Sequence, residues 1–229
     1  MSLDLVLFEL DLPAREIESL AASLDEGEQV RAAAYRSPRD RRRFIARRGQ
    51  LRRLLAERLG GMPHRLQFRS NPWGKPFLAE QPSLHFSLSS SGELALFASA
   101  WGREVGCDIE RKDPALALPG VAQRFFSPAE QEALASLADE QWVDGFFNCW
   151  TRKEAYVKAL GLGLSCPLDG FTVSVAPGES GRLIDAEPGW SLCSFAPAPR
   201  YQAAVVLRGE AADVGALACR GLQPTARAA

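Results

Sequence analysis

The sequence lacks paired cysteines, a long apolar run and an appreciable net charge, and each absence narrows what the chain can be. Its five cysteines (Cys107, Cys149, Cys166, Cys193 and Cys219) are an odd number with no C-x-x-C pair and no zinc-type spacing. Neither a disulfide framework nor a zinc site is therefore expected. No basic n-region precedes an apolar h-region, and a reducing, cytoplasmic setting is expected. No apolar stretch approaches the roughly 20 residues needed to cross a bilayer, so the chain is expected to be soluble, with no membrane partner. The formal net charge of -1, with 46% hydrophobic and 24% charged residues, is that of an ordinary globular protein. With 229 residues there is room for one large domain or for two halves and a site between them.

Charge is unevenly spread within that neutral total. Residues 31–58 hold eleven arginines against Asp40 and Glu57 alone, and the stretch from Asp108 to Glu140 leans acidic. Such a basic stretch suits an anionic ligand or a solvated helix surface. Nucleic acid is disfavoured as that ligand, because the overall charge is neutral and no aromatic residues are interleaved among the arginines.

Periodicity divides the chain into alternating pieces. Met1 to Leu12 reads as a strand, and Glu16 to Tyr35 as helical pieces broken near Gly27. Ser37-Pro38 opens a first long helix that Gly60-Gly61 closes. Leu66 to Arg69, Leu84 to Ser89, Glu93 to Ser99 and Glu104 to Glu110 read as strands, with a turn-rich NPWGKP segment from Asn71 to Pro76. A Pro-punctuated connection, Pro114 to Pro119, is followed by a capping box at Ser127 and Glu130. A second long helix, Glu140 to Leu160, ends at Gly161. Strand-like runs at Phe171 to Val175, Trp190 to Phe195 and Gln202 to Leu207 complete the pattern, with an Ala- and Arg-rich tail expected to fray. Each half carries one long helix and about three strands, so the expected class is α+β. Element order is compatible with a pseudo-twofold duplication of two subdomains, residues 1–100 and 101–229.

Charge breaks the apolar periodicity at three places. In Val105-Gly106-Cys107-Asp108-Ile109-Glu110 the apolar residues alternate with Gly106, Asp108 and Glu110, so both carboxylates leave one strand face, about 6.5 Å apart at Cα. The pair can converge on a hard cation or lie on a solvent face. On the second long helix Glu154 falls in the apolar sector of Val143, Phe146, Phe147, Trp150 and Val157, with Lys158 one turn on. It is either an internal ion pair or a carboxylate aimed at a metal. On the first long helix Arg48 falls in the stripe of Phe44, Leu51 and Leu55. It calls for an anion, a carboxylate partner or a snorkelling path, while the other arginines of that helix are expected to be mostly solvated. Together these features suit a magnesium-bound diphosphate.

At these residues the sequence resembles the phosphopantetheinyl transferases of the surfactin-synthetase-activating type. GCDIE (Gly106 to Glu110) and WTRKEAYVKALGLGL (Trp150 to Leu164) fit that family's G-x-D-x-E and W-x-x-K-E-x-x-x-K patterns, and GKP (Gly74 to Pro76) and RFFSPAE (Arg124 to Glu130) agree more weakly. The resemblance implies a pseudo-twofold, monomeric α+β enzyme with coenzyme A and Mg2+ between its halves. It moves the phosphopantetheine arm to a serine of an apo acyl or peptidyl carrier protein and releases 3′,5′-ADP. Carried over residue by residue, Asp108, Glu110 and Glu154 hold the magnesium. Arg48, Lys75, Ser89, Ser90, Asp108 and Lys158 lie against coenzyme A, helped by backbone at Gly74 and Pro76, with Lys153 a further phosphate contact. Glu154 is the expected base and Lys158 the expected charge-neutralising or proton-donating group.

One departure stands out in Phe86-Ser87-Leu88-Ser89-Ser90-Ser91, where the family pattern reads F-N-x-S-H-S. Ser90 stands in place of a histidine that contacts a coenzyme A phosphate. A serine there can donate a hydrogen bond but brings no positive charge. His85 is a replacement only if strand register slips. The departure leaves room for a relative that binds coenzyme A or a carrier protein but transfers poorly.

Overall fold

The computed structural model describes residues 3–209, apart from the side chain of Leu164. The expected frayed tail beyond Gly209, with Cys219, lies outside the described residues, as do Met1 and Ser2. In chain order the elements are β1 (Leu3–Glu9), α1 (Ala14–Ala21), α2 (Glu26–Ala33), α3 (Pro38–Leu59), β2 (Phe68–Ser70), β3 (Pro76–Leu78), β4 (Leu84–Ser91), β5 (Leu94–Trp101), β6 (Val105–Arg111), α4 (Pro119–Phe125), α5 (Pro128–Ala135), α6 (Trp142–Leu160), β7 (Trp190–Phe195) and β8 (Tyr201–Arg208).

Local chemistry sets both ends of α3 and the C-terminal end of α6, which Gly161 closes at φ 71°. The Ser37 side chain accepts from the Asp40 amide, Pro38 occupies the first turn, and Gly60 ends α3 at φ 62° in the left-handed region. The break between α1 and α2 falls before Gly27, because Asp25 caps α2 in a reciprocal capping box with Glu28. The capping box at Ser127 and Glu130 likewise opens α5.

Two antiparallel sheets form the centre, one in the order β1-β5-β4 and the other β6-β8-β7, with a small β2-β3 ribbon beside them. Both large sheets therefore place their first strand, their last strand and their middle strand in the same sequence across the sheet. Leu3, Leu5, Leu96, Ala98 and Ala100 of the first sheet pack against Val105, Cys107, Ile109, Ala203, Val205 and Leu207 of the second. On its outer face the first sheet meets α1 and α3 through Phe86, Ala95 and Phe97. The second meets α6 through Ala204 and Val206. The order of layers is helix, sheet, sheet, helix, and the central strands β5 and β8 are buried on both faces.

Two expectations need correction. Residues 171–175 form no strand beyond a single bridge between Val173 and Leu183. Side chains already take their backbone groups: Val173 N–H donates to Glu130, Lys153 donates to the Phe171 carbonyl, and Arg152 donates to the Ser174 carbonyl. The segment between the Pro114 to Pro119 connection and the Ser127 cap, for which no element was expected, is the helix α4. Arg52 is not solvated but fully buried.

Between β6 and α6 the backbones nearly touch. A Cβ built on Gly106 would lie 2.1 Å from the Ala155 carbonyl oxygen and 2.2 Å from the Ala159 nitrogen, both main-chain atoms of α6. Only glycine permits this approach, since helix backbone cannot give way as a side-chain tip can. Gly106→Val is accordingly expected to destabilise the chain by about 2 kcal/mol or more, read as a lowered urea midpoint. An unchanged midpoint would refute the contact.

Candidate active site

The close approach at Gly106 aims the polar face of β6 at the polar shoulder of α6. Asp108 is buried, and its Oδ1 accepts from Ser89 Oγ at 2.6 Å and from Lys158 Nζ at 2.5 Å. Lys158 Nζ also donates to Ser89 Oγ at 3.0 Å. The other oxygen, Asp108 Oδ2, is buried without any hydrogen-bond partner. An uncompensated carboxylate oxygen in such a setting is costly, so it calls for a cation or a donor that arrives with a ligand. The internal Glu154–Lys158 pair, one of the two readings open from sequence, does not form: Lys158 reaches across to Asp108 instead.

Glu110 accepts from Ser91 Oγ at 2.6 Å. Burial, followed by the charge of Asp108, pushes its pKa up to about 7. Glu154 is partly buried, and burial raises its pKa, with Asp108 adding to the shift and Lys158 opposing it. Burial works against the Lys158 ammonium, but the charge and hydrogen bond of Asp108 outweigh it and hold the pKa above its usual value. Among the described residues, no three carboxylate, histidine or cysteine side chains are gathered into a ready-made cation cage.

The first half contributes β4 through a period-two run of serines. Ser87 Oγ accepts from the Cys107 amide at 3.0 Å, Ser89 donates to Asp108, and Ser91 both donates to Glu110 and accepts from the Arg111 amide. These hydroxyls lace the edge of one sheet to the edge of the other, where no ladder joins β4 to β6. Sequence reasoning missed this role for Ser87 and Ser91, although the alternation in SLSSS carried the signal.

Arg48 is paired with Glu28, donating from Nε at 2.7 Å, and stacks on the Phe68 ring at 5.0 Å. Arg52 lies 5.1 Å from the same ring and donates to Glu28 at 2.6 Å, to Asp25 and to the carbonyls of Pro63 and Leu66. The two guanidiniums thereby fasten α2 to α3.

The Asn71 to Lys75 turn is clasped by the second half. Asn71 Oδ1 accepts from the Trp73 and Lys75 amides, while its Nδ2 donates to the Gly161 carbonyl at 2.8 Å. Lys75 Nζ donates to the carbonyls of Ala159 (2.8 Å) and Val105 (3.2 Å), at the negative end of α6. Burial lowers its pKa to about 8, with Glu104 and Cys107 opposing the shift.

Lys153 departs from its carried-over role as a phosphate contact. It is fully buried, paired with Glu130 at 2.8 Å and bonded to the carbonyls of Leu168 and Phe171 at 2.6 Å each. An ammonium enclosed in this way has no donor left for a ligand. His85 does not stand in for Ser90, because β4 and β5 pair in unbroken register from Leu84↔Trp101 to Ser91↔Leu94. Alternation therefore sends His85 and Ser90 to opposite faces.

A cavity of about 960 Å3 lies beside Asp108 and Glu110, lined by Arg47, Arg48, Gly74, Lys75, Pro76, Glu154 and Lys158 among others. Its size matches that of a cofactor-sized ligand site. A family model described as 4'-phosphopantetheinyl transferase superfamily matches residues 104–206 of the chain, and one described as 4'-phosphopantetheinyl transferase, N-terminal, matches residues 13–102. The 4'-phosphopantetheinyl transferase HetI of a Nostoc species is 41% identical over 203 residues, covering 87% of this chain and 85% of the relative. The chain belongs to the 4'-phosphopantetheinyl transferase family. Two further transferases agree: psf-1 of Bacillus pumilus is 33% identical across 91% of this chain and 90% of its own. Sfp of Bacillus subtilis is 33% identical across 61% and 62%.

The site of this transferase carries a pH signature. Glu110 keeps its proton to about pH 7 in the folded chain but only to the usual 4.5 when unfolded. Between those values the unfolded chain alone releases the proton, so stability falls as pH rises from about 4.5 to about 7. In chelator, the urea midpoint of the wild type is expected to drop more between pH 5 and pH 7.5 than that of Glu110→Gln. Equal drops would show that Glu110 is not the titrating group.

Proposed function

We propose that the chain transfers the 4′-phosphopantetheine arm of coenzyme A to a serine hydroxyl of an apo acyl or peptidyl carrier protein, releasing 3′,5′-ADP. The observation that carries this reading is the half-satisfied, buried Asp108 beside Lys158 and two carboxylates of raised pKa, next to a cavity that Glu154 and Lys158 line together with several arginines.

In the transfer the serine Oγ forms a bond to the β-phosphorus of the diphosphate, and the bond from that phosphorus to the bridging oxygen breaks. The serine proton passes to Glu154, whose raised pKa improves its match to a base working near neutral pH and whose carboxylate has no hydrogen-bond partner among the described residues. Lys158 neutralises charge on the diphosphate. Asp108 raises its proton affinity, so it serves as a fixed positive charge rather than as the donor to the leaving group. Ser89 orients both Asp108 and Lys158.

The donor set suits Mg2+, since Asp108, Glu110 and Glu154 supply hard oxygens and Asp108 Oδ2 lacks a partner. The incomplete cage is in keeping with a metal that retains water and takes phosphate oxygens from its substrate. When bound, the ion supplies charge neutralisation at the diphosphate. Arg48, Lys75, Gly74, Pro76 and Ser90 border the coenzyme A side, with Arg48 and Lys75 acting chiefly through the wall and the turn that they hold in place. The shared strand order of the two sheets supports reading the halves, residues 1–100 and 101–229, as a pseudo-twofold duplication. We read the enzyme as a cytoplasmic monomer; among the described residues no helix is long and apolar enough to cross a membrane.

The test is the intact mass of an apo carrier protein incubated with the chain, coenzyme A and Mg2+. A gain of one phosphopantetheine is expected, lost on omitting the metal and reduced at least about a hundredfold in rate by Glu154→Gln. No gain on fatty-acid, polyketide or peptide carriers would overturn the proposal.

A further inference from the structure

The last turn of α6 is completed by the other half of the chain. A helix leaves its final carbonyls without partners of its own, and a cap, water or another element must satisfy them. Gly161 N–H closes on the Val157 carbonyl within the helix. The carbonyls of Ala159 and Gly161 instead accept from Lys75 Nζ and Asn71 Nδ2, each at 2.8 Å, from side chains 84 and 90 residues away. Asn71 is held rigidly for this task. Its Oδ1 accepts from the amides of Trp73 at 3.0 Å and Lys75 at 2.9 Å. Two amides aimed at one atom require that atom to be the oxygen, so the NH2 group faces Gly161. Main-chain bonds from Asn71 N–H to the Lys75 carbonyl and from Gly74 N–H to the Asn71 carbonyl close the same loop.

Both sides of this clasp line the cavity, Trp73, Gly74 and Lys75 from the first half and Lys158, Gly161 and Gly163 from the second. The two turns are packed in contact, since a Cβ on Gly163 would lie 2.9 Å from the Trp73 carbonyl oxygen. Lys158 belongs to the last turn of α6. Fraying of that turn would therefore slacken the ammonium that holds Asp108 and Ser89. Of the two clasping side chains, Asn71 is the shorter and has fewer torsions to freeze, so it fixes a separation that the long arm of Lys75 only limits.

We infer that Asn71 is a positioning residue of this transferase: by closing the end of α6 from the opposite half, it sets the width of the cavity beside the turn and keeps Lys158 on Asp108. It acts through the Asn71 to Lys75 turn and the helix end, and has no part in the chemistry itself. The inference rests on the coenzyme A reading above for what the cavity holds, whereas the closure of α6 by Asn71 stands apart from any ligand.

Asn71→Ser and Asn71→Asp provide the test, because each keeps an oxygen that can accept from the Trp73 and Lys75 amides while neither presents a donor that reaches Gly161. Hydrogen exchange of the unliganded protein, read by mass spectrometry over residues 157–161, is expected to quicken about threefold to tenfold in both, the range of one hydrogen bond. In steady-state transfer to an apo carrier protein, the KM for coenzyme A should rise by a similar factor while the KM for the carrier stays within about twofold. A loss of stability alone lowers the active fraction and moves neither KM. Unchanged exchange or an unchanged coenzyme A KM in Asn71→Ser, or an equal rise of both KM values, would overturn the inference with transfer left intact. An effect confined to Asn71→Asp would assign it to the added charge and overturn it too. Should the serine variant not fold, Asn71→Asp at raised salt, where its charge is screened, decides by the same two readings. A wild type that transfers nothing sinks the coenzyme A reading and the positioning role with it.

Discussion

The approach of β6 to α6 at Gly106 is the constraint on which the rest of the site depends. With main-chain atoms of the two elements in contact, Asp108 and Glu110 on the strand are brought into electrostatic range of Glu154 and Lys158 on the helix. At a usual strand–helix separation of about 10 Å, Lys158 would not reach Asp108 so directly, and water would screen the carboxylates from one another. At this floor burial shifts Glu110 and Glu154 toward their neutral forms, and a cation is the partner that would restore their charge. Geometry and electrostatics therefore have one origin.

Around that floor the structure separates two kinds of buried charge. Arg52, Lys153 and Arg152 are used up inside the protein: Arg52 on Asp25 and Glu28, Lys153 on Glu130 and two carbonyls, Arg152 on the backbone around Ser174. They hold α2, the segment 168–171 and the turn after Val175 in place, and removing either member of such a pair would strand the other. Asp108, Glu110, Glu154, Arg31 and Arg47 are the opposite case. Their charge is left partly unanswered, acid on the side of the second half and base on the side of the first.

The two halves are joined by more than the sheet-to-sheet core. Serines of β4 bond to β6, and the Asn71 to Lys75 turn is bonded to the end of α6. Each link sits on the wall of the cavity. Assembly of the halves and shaping of the site are consequently one event, and the turn that borders the cavity is tied to carbonyls of the opposite half.

Much of this was legible without coordinates. The caps at Ser37 and Ser127, the stops at Gly60 and Gly161, and the alternation through Asp108 and Glu110 are local signals, set by neighbours within a few residues, and they appear where the residues predict. The sequence alone also marks Glu154 as an oddity on its helix. What it does not contain is the partner of each charge. Lys158 turns to Asp108 rather than to Glu154, Arg48 to Glu28, and Lys153 into the core, because ion pairing is decided by which elements pack together and how deeply each group is buried. The run 171–175 has a strand's composition yet pairs only through one bridge to Leu183, and side chains from α5 and α6 bond Val173 N–H and the carbonyls of Phe171 and Ser174. Spacing along the chain determined which residues share a face; only the tertiary structure decided which faces meet, because desolvation and Coulomb energy depend on distance through space.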